Sequence, residues 1–405
     1  MDTYRAKWLL PITSPPVENG AITIDHGRII QTGSGRGQTG SSVHDLGECI
    51  LLPGLINAHT HLELTCYLGR VAPAPLWTWF SHLMPIRLAP GADALERAAV
   101  SEGARQSLAA GVTCVGDISR AGVQVQELRS SPLRKVCFLE LISGALAPPN
   151  DAATLTAMLR EAAASGEPER LVIGLSPHAL YTVTWPDLLA ASRLAAEADV
   201  PVTIHVLETP EEADWLAGHG QFLHDFLVRC RLPTADDDTA GSAMERLRRS
   251  GLFERRPLLA HVNYLDDAEL TLLAASGASV AYCPRSHNFF GHPPHRWRDM
   301  LAAGINVCLG TDSLASNYSL SILDELRFVR QAAPEFPTAP LLEMATIRSA
   351  VALRLDPFIG SLDAGKRADF ITIPWNSSGP AEPAANLLDG GQTVSGVWVD
   401  GKSVP

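Results

Sequence analysis

The chain has 405 residues, of which 46% are hydrophobic and 19% are charged, and this ordinary globular composition excludes a largely disordered protein. The formal net charge of -12 leaves no basic surface, so we expect neither nucleic acid nor an anionic membrane as a partner.

The two ends of the chain contain short strand-like pieces separated by glycine and proline turns. Examples are AITIDHGRII at 21–30, ADFITI at 368–373 and VSGVWVDGK at 394–402. Such pieces are typical of a small β domain. We therefore predict a β-sandwich-like domain built from both termini, with residues 1–52 as its first part and residues 359–405 as its second.

Between the ends, eight apolar runs alternate with helical patterns. The runs are LLPGLINAH, TCVGDI, KVCFLELI, LVIGLSPH, VTIHVLE, LLAHVNY, ASVAYCP and NVCLGTD. Continuous apolarity is typical of parallel strands that are buried on both faces. The alternation predicts an α/β fold, a (β/α)₈ TIM barrel over residues 53–358, with an open doubly wound sheet as the alternative.

One connection in this pattern is long. Residues 209–257, between the fifth and sixth runs, exceed a minimal crossover, and long loops at a barrel mouth often shape a site. The segment HGQFLHDF within it suits either lid contacts or an amphipathic surface helix.

Two histidines stand one residue apart in PGLINAHTHLE, at the end of the first run. Because side chains alternate along a strand, His59 and His61 project to the same side. His205, His261 and Asp312 lie at or near the ends of three later runs, where the catalytic groups of barrel enzymes belong. Each alone suits a core histidine or a helix-capping aspartate. Their convergence on one rim favours a metal site.

The fourth run, LVIGLSPH, contains no lysine, so a carbamylated lysine that bridges two ions is not expected there. We predict one divalent metal held by His59, His61, His205 and Asp312, with His261 free for a catalytic role. These donors suit Zn²⁺, and they also fit Fe²⁺ or Mn²⁺.

Glu208 lies at the turn ETPEE, just beyond the fifth run. An acid there suits the N-terminus of the following helix. Beside a metal, a carboxylate in a desolvated mouth also suits proton transfer.

The motifs PGLINAHTHLE, IHVLE, LAHVN, LGTDSLASN and GSLDAGKRADF together resemble the amidohydrolase superfamily over nearly the whole chain. The closer resemblance is to its branch of cytosine deaminases, chlorohydrolases and S-adenosylhomocysteine deaminases. Members of that branch bind one divalent metal and hydrolyse an exocyclic group from a nitrogen heterocycle. The resemblance implies that Asp312 also accepts a proton from the attacking water, Glu208 carries a proton to the ring nitrogen, and His261 orients the nucleophile.

The segment APLWTWFSHLMPIR at 74–87 resembles a loop in which a glutamate commonly grips ribose hydroxyls, and Arg87 takes that place here. An arginine there favours a substrate that carries a carboxylate, since its guanidinium suits bidentate pairing. GLSPHALYTV, Arg87 and CPRS together most resemble the aminodeoxyfutalosine deaminases of menaquinone biosynthesis. This resemblance implies that His178 contacts purine or ribose and that Trp77 and Trp79 wall the aromatic end. For these three residues, a structural histidine and simple core packing are the alternatives.

Two further substrate contacts are expected after the seventh and eighth runs. CPRSHNFFG places His287 where relatives have asparagine, with Asn288 one residue later, and the sequence leaves open which of them faces the pocket. Ser313 in LGTDSLASN is the other expected contact.

Three functions compete on this basis. The first is hydrolytic deamination of an aminopurine nucleoside, most specifically aminodeoxyfutalosine, by a metal-activated water. The second is another reaction on the same scaffold, that of an S-adenosylhomocysteine or methylthioadenosine deaminase or of a triazine-type chlorohydrolase. A non-catalytic barrel protein is the third, and the retained ligand-type residues argue against it. The sequence is compatible with a homo-oligomer.

The remaining sequence features concern the cellular compartment. No apolar run reaches the ~18 residues of a membrane span, and MDTYRAKWLLPITSPP is not a signal peptide. The seven cysteines include no CxxC pair. A cytoplasmic protein with buried, reduced thiols is therefore the expectation.

Overall fold

A computed structural model describes residues 1–34, 42–145, 149–163, 169–230, 232–233 and 241–404. Within these ranges the strands are β1 (Asp2–Leu9), β2 (Val17–Asp25), β3 (Arg28–Ser34), β4 (Ser42–Asp45), β5 (Cys49–Pro53), β6 (Leu55–Thr60), β7 (Val112–Ser119), β8 (Arg134–Leu141), β9 (Leu171–Pro177), β10 (Thr203–Val206), β11 (Leu258–His261), β12 (Ser279–Tyr282), β13 (Asn306–Leu309), β14 (Phe370–Pro374), β15 (Gly396–Val399) and β16 (Lys402–Val404).

The α-helices are α1 (Leu76–Arg87), α2 (Ala92–Ala109), α3 (Val123–Glu127), α4 (Ala152–Ala163), α5 (Trp185–Glu197), α6 (Pro210–Leu216), α7 (Gln221–Arg229), α8 (Ala243–Arg249), α9 (Asp267–Ser276), α10 (Pro284–Phe290), α11 (Trp297–Ala302), α12 (Ile322–Ala332), α13 (Thr338–Met344), α14 (Ile347–Ala352) and α15 (Pro383–Asp389). Short 3₁₀ segments cover Leu62–Tyr67, Arg120–Gly122 and Leu252–Arg255.

The α/β alternation predicted from the sequence is confirmed. Strands β6 to β9 form one four-stranded parallel sheet in chain order, and β10 to β13 form a second. Isolated parallel bridges join Leu175 to Val202 and Ala179 to His205, between the two sheets, and a third joins Thr60 to Asp312. Strands β10 to β13 have four residues each, and most polar groups near their carboxyl ends lie in the turns that follow.

The strands from both termini share one eight-stranded sheet. Its order is β16-β15-β14-β5-β1-β2-β3, with β4 paired to β1. A sandwich-like packing of these strands stays a prediction.

The first apolar run is divided between the two sheets. Instead of one strand over 51–59, β5 pairs with β14 in the terminal sheet and β6 pairs with β7. Gly54 separates them, and a Cβ at this position would lie 2.0 Å from Thr113 Oγ1. The chain therefore needs glycine where it passes from one sheet to the next.

A buried ion-pair network links the start of β8 to the terminal sheet. The Arg134 guanidinium, 2% exposed, donates to both carboxylate oxygens of Asp369 and to Asp400. The backbone N–H of Asp400 donates to Asp369 Oδ1 over 2.8 Å. Since every charge has a partner, the network satisfies its buried groups and fixes the junction.

Among the described residues no helix is long and apolar enough to cross a membrane. All seven cysteines are free, five of them buried as expected. Cys66 is only partly buried and Cys230 is exposed, because Cys230 follows the solvent-facing helix α7.

Candidate metal centre and active site

The predicted ligands converge beyond the carboxyl ends of the parallel strands. His61 Nε2 lies 3.4 Å from His205 Nε2 and 3.5 Å from Asp312 Oδ1. His59 Nε2 lies 3.7 Å from the same Asp312 oxygen. Ligand atoms of His59, His261 and Asp312 also lie within 4.8 Å of one another. Four imidazoles and one carboxylate therefore face one small space.

The first and last strands of this series are fixed against each other just below the site. Asn57 Nδ2 donates to Thr311 Oγ1 over 2.7 Å, and Thr311 N donates to Asn57 Oδ1 over 3.1 Å. Thr60 Oγ1 donates to the Asp312 carbonyl over 3.0 Å. A Cβ on Gly310 would lie 2.8 Å from the His59 carbonyl oxygen. The glycine of LGTD thus permits the close approach that brings Asp312 to the histidines.

The backbone carrying these groups is strained. Leu207, His261, Val262 and Asp312 all have φ between +50° and +73°, a region that costs roughly 1–3 kcal/mol for a residue other than glycine. Each turn ends a strand and redirects the next side chain. Strain of this kind persists only where surrounding contacts hold it, as at functional sites.

Asp312 is oriented by two serines that sequence reasoning did not single out. Ser286 Oγ and Ser316 Oγ donate to Asp312 Oδ2 over 2.7 and 2.9 Å. The other oxygen, Oδ1, is thereby turned to His59 and His61. Neither serine has a periodic or motif signal beyond its place in CPRS and ASN.

His205 is oriented through its other ring nitrogen. Its Nδ1 donates to the His178 carbonyl oxygen over 3.0 Å, which leaves Nε2 facing the site. A hydrogen bond of this kind, from the ring nitrogen that does not face the metal, fixes the tautomer and direction of a metal-ligating histidine. His178 itself pairs its Nδ1 with Thr182 Oγ1 at 2.7 Å.

Glu140, at the end of β8, is a second residue that the sequence reasoning missed. A carboxylate oxygen of Glu140 and ring nitrogens of His178 and His205 lie within 4.8 Å of one another. Burial raises the pKa of Glu140, while His205 and Arg87 oppose that rise. The only available signal was one acid near the end of an apolar run.

The donors fit a divalent metal. Within the described residues, both ring nitrogens of His59 are buried without a hydrogen-bond partner, which would be costly unless a ligand satisfied one of them. Burial, followed by neighbouring imidazoles, lowers the pKa values of His59 and His61 well below their usual range. Neutral imidazoles carry the lone pairs that coordinate Zn²⁺.

Glu208 lies next to His261, and its role in proton transfer stays a prediction. Its Oε1 is 3.6 Å from His261 Nε2. Burial, then Asp312 and Glu212, raises the pKa of Glu208 well above its usual range. Glu212, on the first turn of α6, accepts the Glu208 backbone N–H at 3.0 Å. A carboxyl that holds its proton near neutral pH suits general acid chemistry.

Arg87 lies near these groups, but it is engaged. Its Nε and Nη2 donate to the two carboxylate oxygens of Glu96 over 2.8 and 3.1 Å, and Glu63 Oε1 lies 3.7 Å from Nη2. The bidentate edge expected to bind a substrate carboxylate is therefore paired internally. The third guanidinium nitrogen, Nη1, is not part of this pairing with Glu96, and binding of a substrate carboxylate by Nη1 stays a prediction.

The two tryptophans differ in their surroundings. Trp77 packs against Tyr181, Phe222 and Phe226, with ring centroids 4.8 to 6.0 Å apart, and Tyr181 also contacts His178. Trp79 is buried, donates Nε1 to the Ala315 carbonyl over 2.9 Å and packs on Phe290. Trp79 is thus a packing residue, whereas Trp77 joins an aromatic group next to His178.

Two of the remaining expected substrate contacts, His287 and Ser313, have hydrogen-bond partners within the protein. His287 is buried, with Nε2 donating to the Pro293 carbonyl over 2.8 Å and Nδ1 at 3.0 Å from Asn263 Oδ1. Asn288 is exposed. Ser313 Oγ lies 3.2 Å from Ser316 Oγ. Their contacts with substrate stay predictions.

The predicted insertion at 209–257 forms α6, α7, α8 and a 3₁₀ turn, and its residues 231 and 234–240 lie outside the described ranges. In α7 the apolar side chains Leu223 and Leu227 are buried, while His224 and Asp225 are exposed. This burial pattern is that of an amphipathic surface helix.

Replacing Ser286 by Ala is expected to lower kcat of the deamination expected from the sequence about 10- to 100-fold, the range typical when a residue that hydrogen-bonds a metal ligand is removed. The carboxylate of Asp312 would keep one of its two serine donors and lose its fixed direction. Steady-state kinetics with metal analysis would check this result. Ser250→Ala, which removes a buried hydroxyl bonded to the Leu247 carbonyl, is the matched control, and equal losses in both variants would contradict the assignment.

Comparisons with known proteins agree with the motifs. A model of the amidohydrolase family matches residues 50–404. The 5-methylthioadenosine/S-adenosylhomocysteine deaminase of Saccharophagus degradans is 30% identical over 430 aligned positions, which cover 98% of this chain and 90% of that relative.

Solved structures share the fold. An adenosine deaminase from Xanthomonas campestris with bound zinc is 25% identical, with a TM-score of 0.83 and coverage of 99% of this chain and 92% of that one. The Helicobacter pylori aminofutalosine deaminase in complex with methylthio-coformycin has a TM-score of 0.86 at 23% identity, with both chains fully covered. The family model and the 30% identical relative establish that the chain belongs to the amidohydrolase family.

Proposed function

We propose that this protein is a metal-dependent deaminase that hydrolyses the exocyclic amino group of an aminopurine nucleoside. The chain is a hydrolase that acts on carbon–nitrogen bonds. The observation that carries the finer proposal is the convergence of His59, His61, His205 and Asp312 beside Glu208. Zinc in the Xanthomonas deaminase supports Zn²⁺ as the ion.

The proposal includes the architecture that holds this site. The two parallel sheets would form one (β/α)₈ barrel over residues 53–358. The bridges Leu175–Val202, Ala179–His205 and Thr60–Asp312 support closure between the sheets. Residues 1–52 and 359–405 would form the second domain.

Each group has a chemical task in this proposal. A divalent ion, when bound, lowers the pKa of a coordinated water and supplies a nucleophile near neutral pH. Asp312 Oδ1, turned inward by Ser286 and Ser316, accepts a proton from that nucleophile. Glu208 gives its proton to the purine ring nitrogen, and His261 orients the nucleophile. A C–O bond forms between the attacking oxygen and the ring carbon, and Asp312 then gives its proton to the amino group. The C–N bond breaks, ammonia leaves, and the hydroxyl proton of the adduct returns to Glu208 as the carbonyl forms.

Two kinds of nucleoside, with and without a carboxyphenyl group, are consistent with the surroundings of His178. Aminodeoxyfutalosine has a carboxyl group for Arg87 Nη1 and an aromatic ring for the Trp77 group. Methylthioadenosine and S-adenosylhomocysteine are the alternative. The names of the relatives support it, as does the engagement of Arg87 by Glu96. For either nucleoside, Glu140 offers a carboxylate that can accept hydrogen bonds from ribose hydroxyls.

The direct experiment is ammonia release by zinc-loaded protein from adenosine, methylthioadenosine, S-adenosylhomocysteine, guanine, cytosine and aminodeoxyfutalosine. We expect an aminopurine nucleoside to be the best substrate, with aminodeoxyfutalosine preferred. Absence of ammonia from every nucleoside, with zinc bound, would contradict the proposal.

Replacing Arg87 by Gln is expected to raise KM for aminodeoxyfutalosine by roughly 10- to 100-fold, the value of a hydrogen bond to a charged group, and to change KM for methylthioadenosine little. Separate Michaelis curves on the two nucleosides measure this difference. Arg97→Gln, on the exposed face of α2, removes an arginine paired with Glu127 and serves as the control. Equal losses on both substrates would refute reading of a carboxylate and would assign Arg87 to the internal Glu96 pair.

A further inference from the structure

Three histidines that follow β12 take no part in the proton transfers proposed above. His287, His292 and His295 follow β12 in the segment HNFFGHPPH, and their rings lie 5.1 to 5.6 Å apart around His287. His295 stacks on Tyr282, with ring centroids 4.2 Å apart and planes at 17°. Among them, His295 reaches the catalytic end of a strand.

The point of contact is the backbone of His261. His295 Nε2 donates to the His261 carbonyl oxygen over 2.8 Å. The pairing of β11 with β12 ends one residue earlier, at Ala260 and Ala281. His261 therefore has no paired residue in β12. The His295 side chain supplies the hydrogen bond that a neighbouring strand would otherwise make.

His261 is a position where support is needed. Its φ of +73° and that of Val262, +53°, are both in the left-handed region, which is unfavourable for a β-branched residue above all. Backbone in this region persists only where surrounding contacts over-determine it. On the other side, Val262 N donates to the Val206 carbonyl over 2.9 Å. His295 adds a second contact to this turn, because it donates to the His261 carbonyl oxygen.

The strained turn sets the direction of the His261 ring. With this backbone, Nε2 lies 3.6 Å from Glu208 Oε1, and the ring centroid is 5.3 Å from that of His59. Rotation of the peptide between His261 and Val262 would relax the positive φ of Val262 and would leave the His261 Cα, and with it the imidazole, free to shift relative to Glu208. The carbonyl that His295 binds belongs to this same peptide, so the hydrogen bond opposes that rotation.

A relaxed His261 would affect catalysis in a defined way. The ring orients the nucleophile in the proposed mechanism, and an error of about 1 Å in positioning can cost roughly 100-fold in rate. Ground-state binding of the nucleoside would change little, because His295 lies behind the strand end.

The tautomer of His295 follows from the same contact. Since Nε2 carries the donated proton, the neutral ring has an unprotonated Nδ1, and Nδ1 is buried without a hydrogen-bond partner among the described residues. A glutamine amide can present its nitrogen near the position of Nε2. Glutamine is therefore the conservative replacement, and leucine removes the donor while retaining bulk.

We propose that His295 is a positioning residue, which holds the His261 carbonyl and thereby keeps the His261 imidazole aimed at Glu208 and the reacting groups. This inference rests on the proposed function for its kinetic consequence and on the contact itself for its structural one.

The test compares His295→Leu, His295→Gln and His292→Leu, each loaded with zinc. His292 is the matched control, because it is a neighbouring histidine whose Nδ1 pairs with the Tyr264 hydroxyl at 3.1 Å. For His295→Leu we expect kcat to fall about 10- to 100-fold, with KM and bound zinc close to wild type. His295→Gln should recover most of kcat, and His292→Leu should retain it.

A second readout does not depend on turnover. In zinc-free protein labelled with ¹⁵N-histidine, His295 should show a protonated Nε2 and an unprotonated Nδ1. The His261 signals should shift in His295→Leu and remain unshifted in His292→Leu. This result would support the contact even if no nucleoside were deaminated, so failure of the proposed function is distinguishable.

Three outcomes would overturn the inference: wild-type kcat in His295→Leu, equal losses in His295→Leu and His292→Leu, or unshifted His261 signals in His295→Leu. Failure of glutamine to recover activity would also count against the donated hydrogen bond.

Discussion

Replacing Glu208 by Gln is expected to lower kcat by about 10²- to 10⁴-fold, the usual contribution of a general acid or base, while the protein keeps its metal. The amide has nearly the shape of the carboxyl but cannot transfer a proton to the ring nitrogen. Burial and the charges of Asp312 and Glu212 raise the pKa of Glu208, a shift in the direction that favours proton donation by the wild-type group. Ammonia release measured at fixed times would give kcat, and metal analysis would give the amount of bound metal.

Glu211→Gln is the matched control for this variant. Glu211 lies three residues further along the chain, in the first turn of α6, and it makes none of the contacts described around the metal ligands. Its replacement should leave kcat within about twofold. Equal activity of Glu208→Gln and wild type would remove Glu208 from the mechanism, and loss of metal in Glu208→Gln would make it a ligand instead.

Replacing Asp369 by Asn is expected to reduce the free energy of unfolding by about 3 kcal/mol, the lower end for removal of one partner from a buried ion pair. Arg134 would retain Asp400 but would face an amide at the position of its bidentate carboxylate. The loss matters for function because Arg134 begins β8, whose far end carries Glu140. Urea-induced unfolding of the two proteins would measure the difference.

An exposed ion pair provides the comparison. Asp389 pairs with Arg330 at 3.0 Å on the surface, with side chains 34% and 19% exposed. Asp389→Asn should therefore cost less than about 1 kcal/mol, as is usual for such pairs. Similar losses at both positions would show that the buried network adds no more than a surface pair does.

The strand pattern was predictable because the parallel strands are buried on both faces, and their apolar runs are visible in the sequence. The four residues proposed as metal ligands were found from the same pattern, since each lies where an apolar run ends. The short lengths of β10 to β13 could not be predicted from the apolar runs. In these strands positive φ values at Leu207, His261 and Asp312 end or redirect the chain, and no propensity of leucine, histidine or aspartate predicts that conformation.

The groups around the ligands were harder to find from sequence. Ser286, Ser316 and Glu140 are single polar residues without periodic spacing, and they reach the site only through tertiary packing. Arg87 shows the opposite problem. Its neighbourhood was anticipated, but its bidentate pairing with Glu96 joins two separate helices and follows from their packing alone.

The central claim is a single-metal hydrolytic site, and titration of metal-free protein with Zn²⁺ tests it most directly. Bound zinc and ammonia release from the preferred nucleoside would be measured at each addition. For a single-metal site we expect activity to rise linearly and to reach its plateau at one equivalent of zinc per chain. Full activity without metal, or a plateau only at two equivalents, would contradict it.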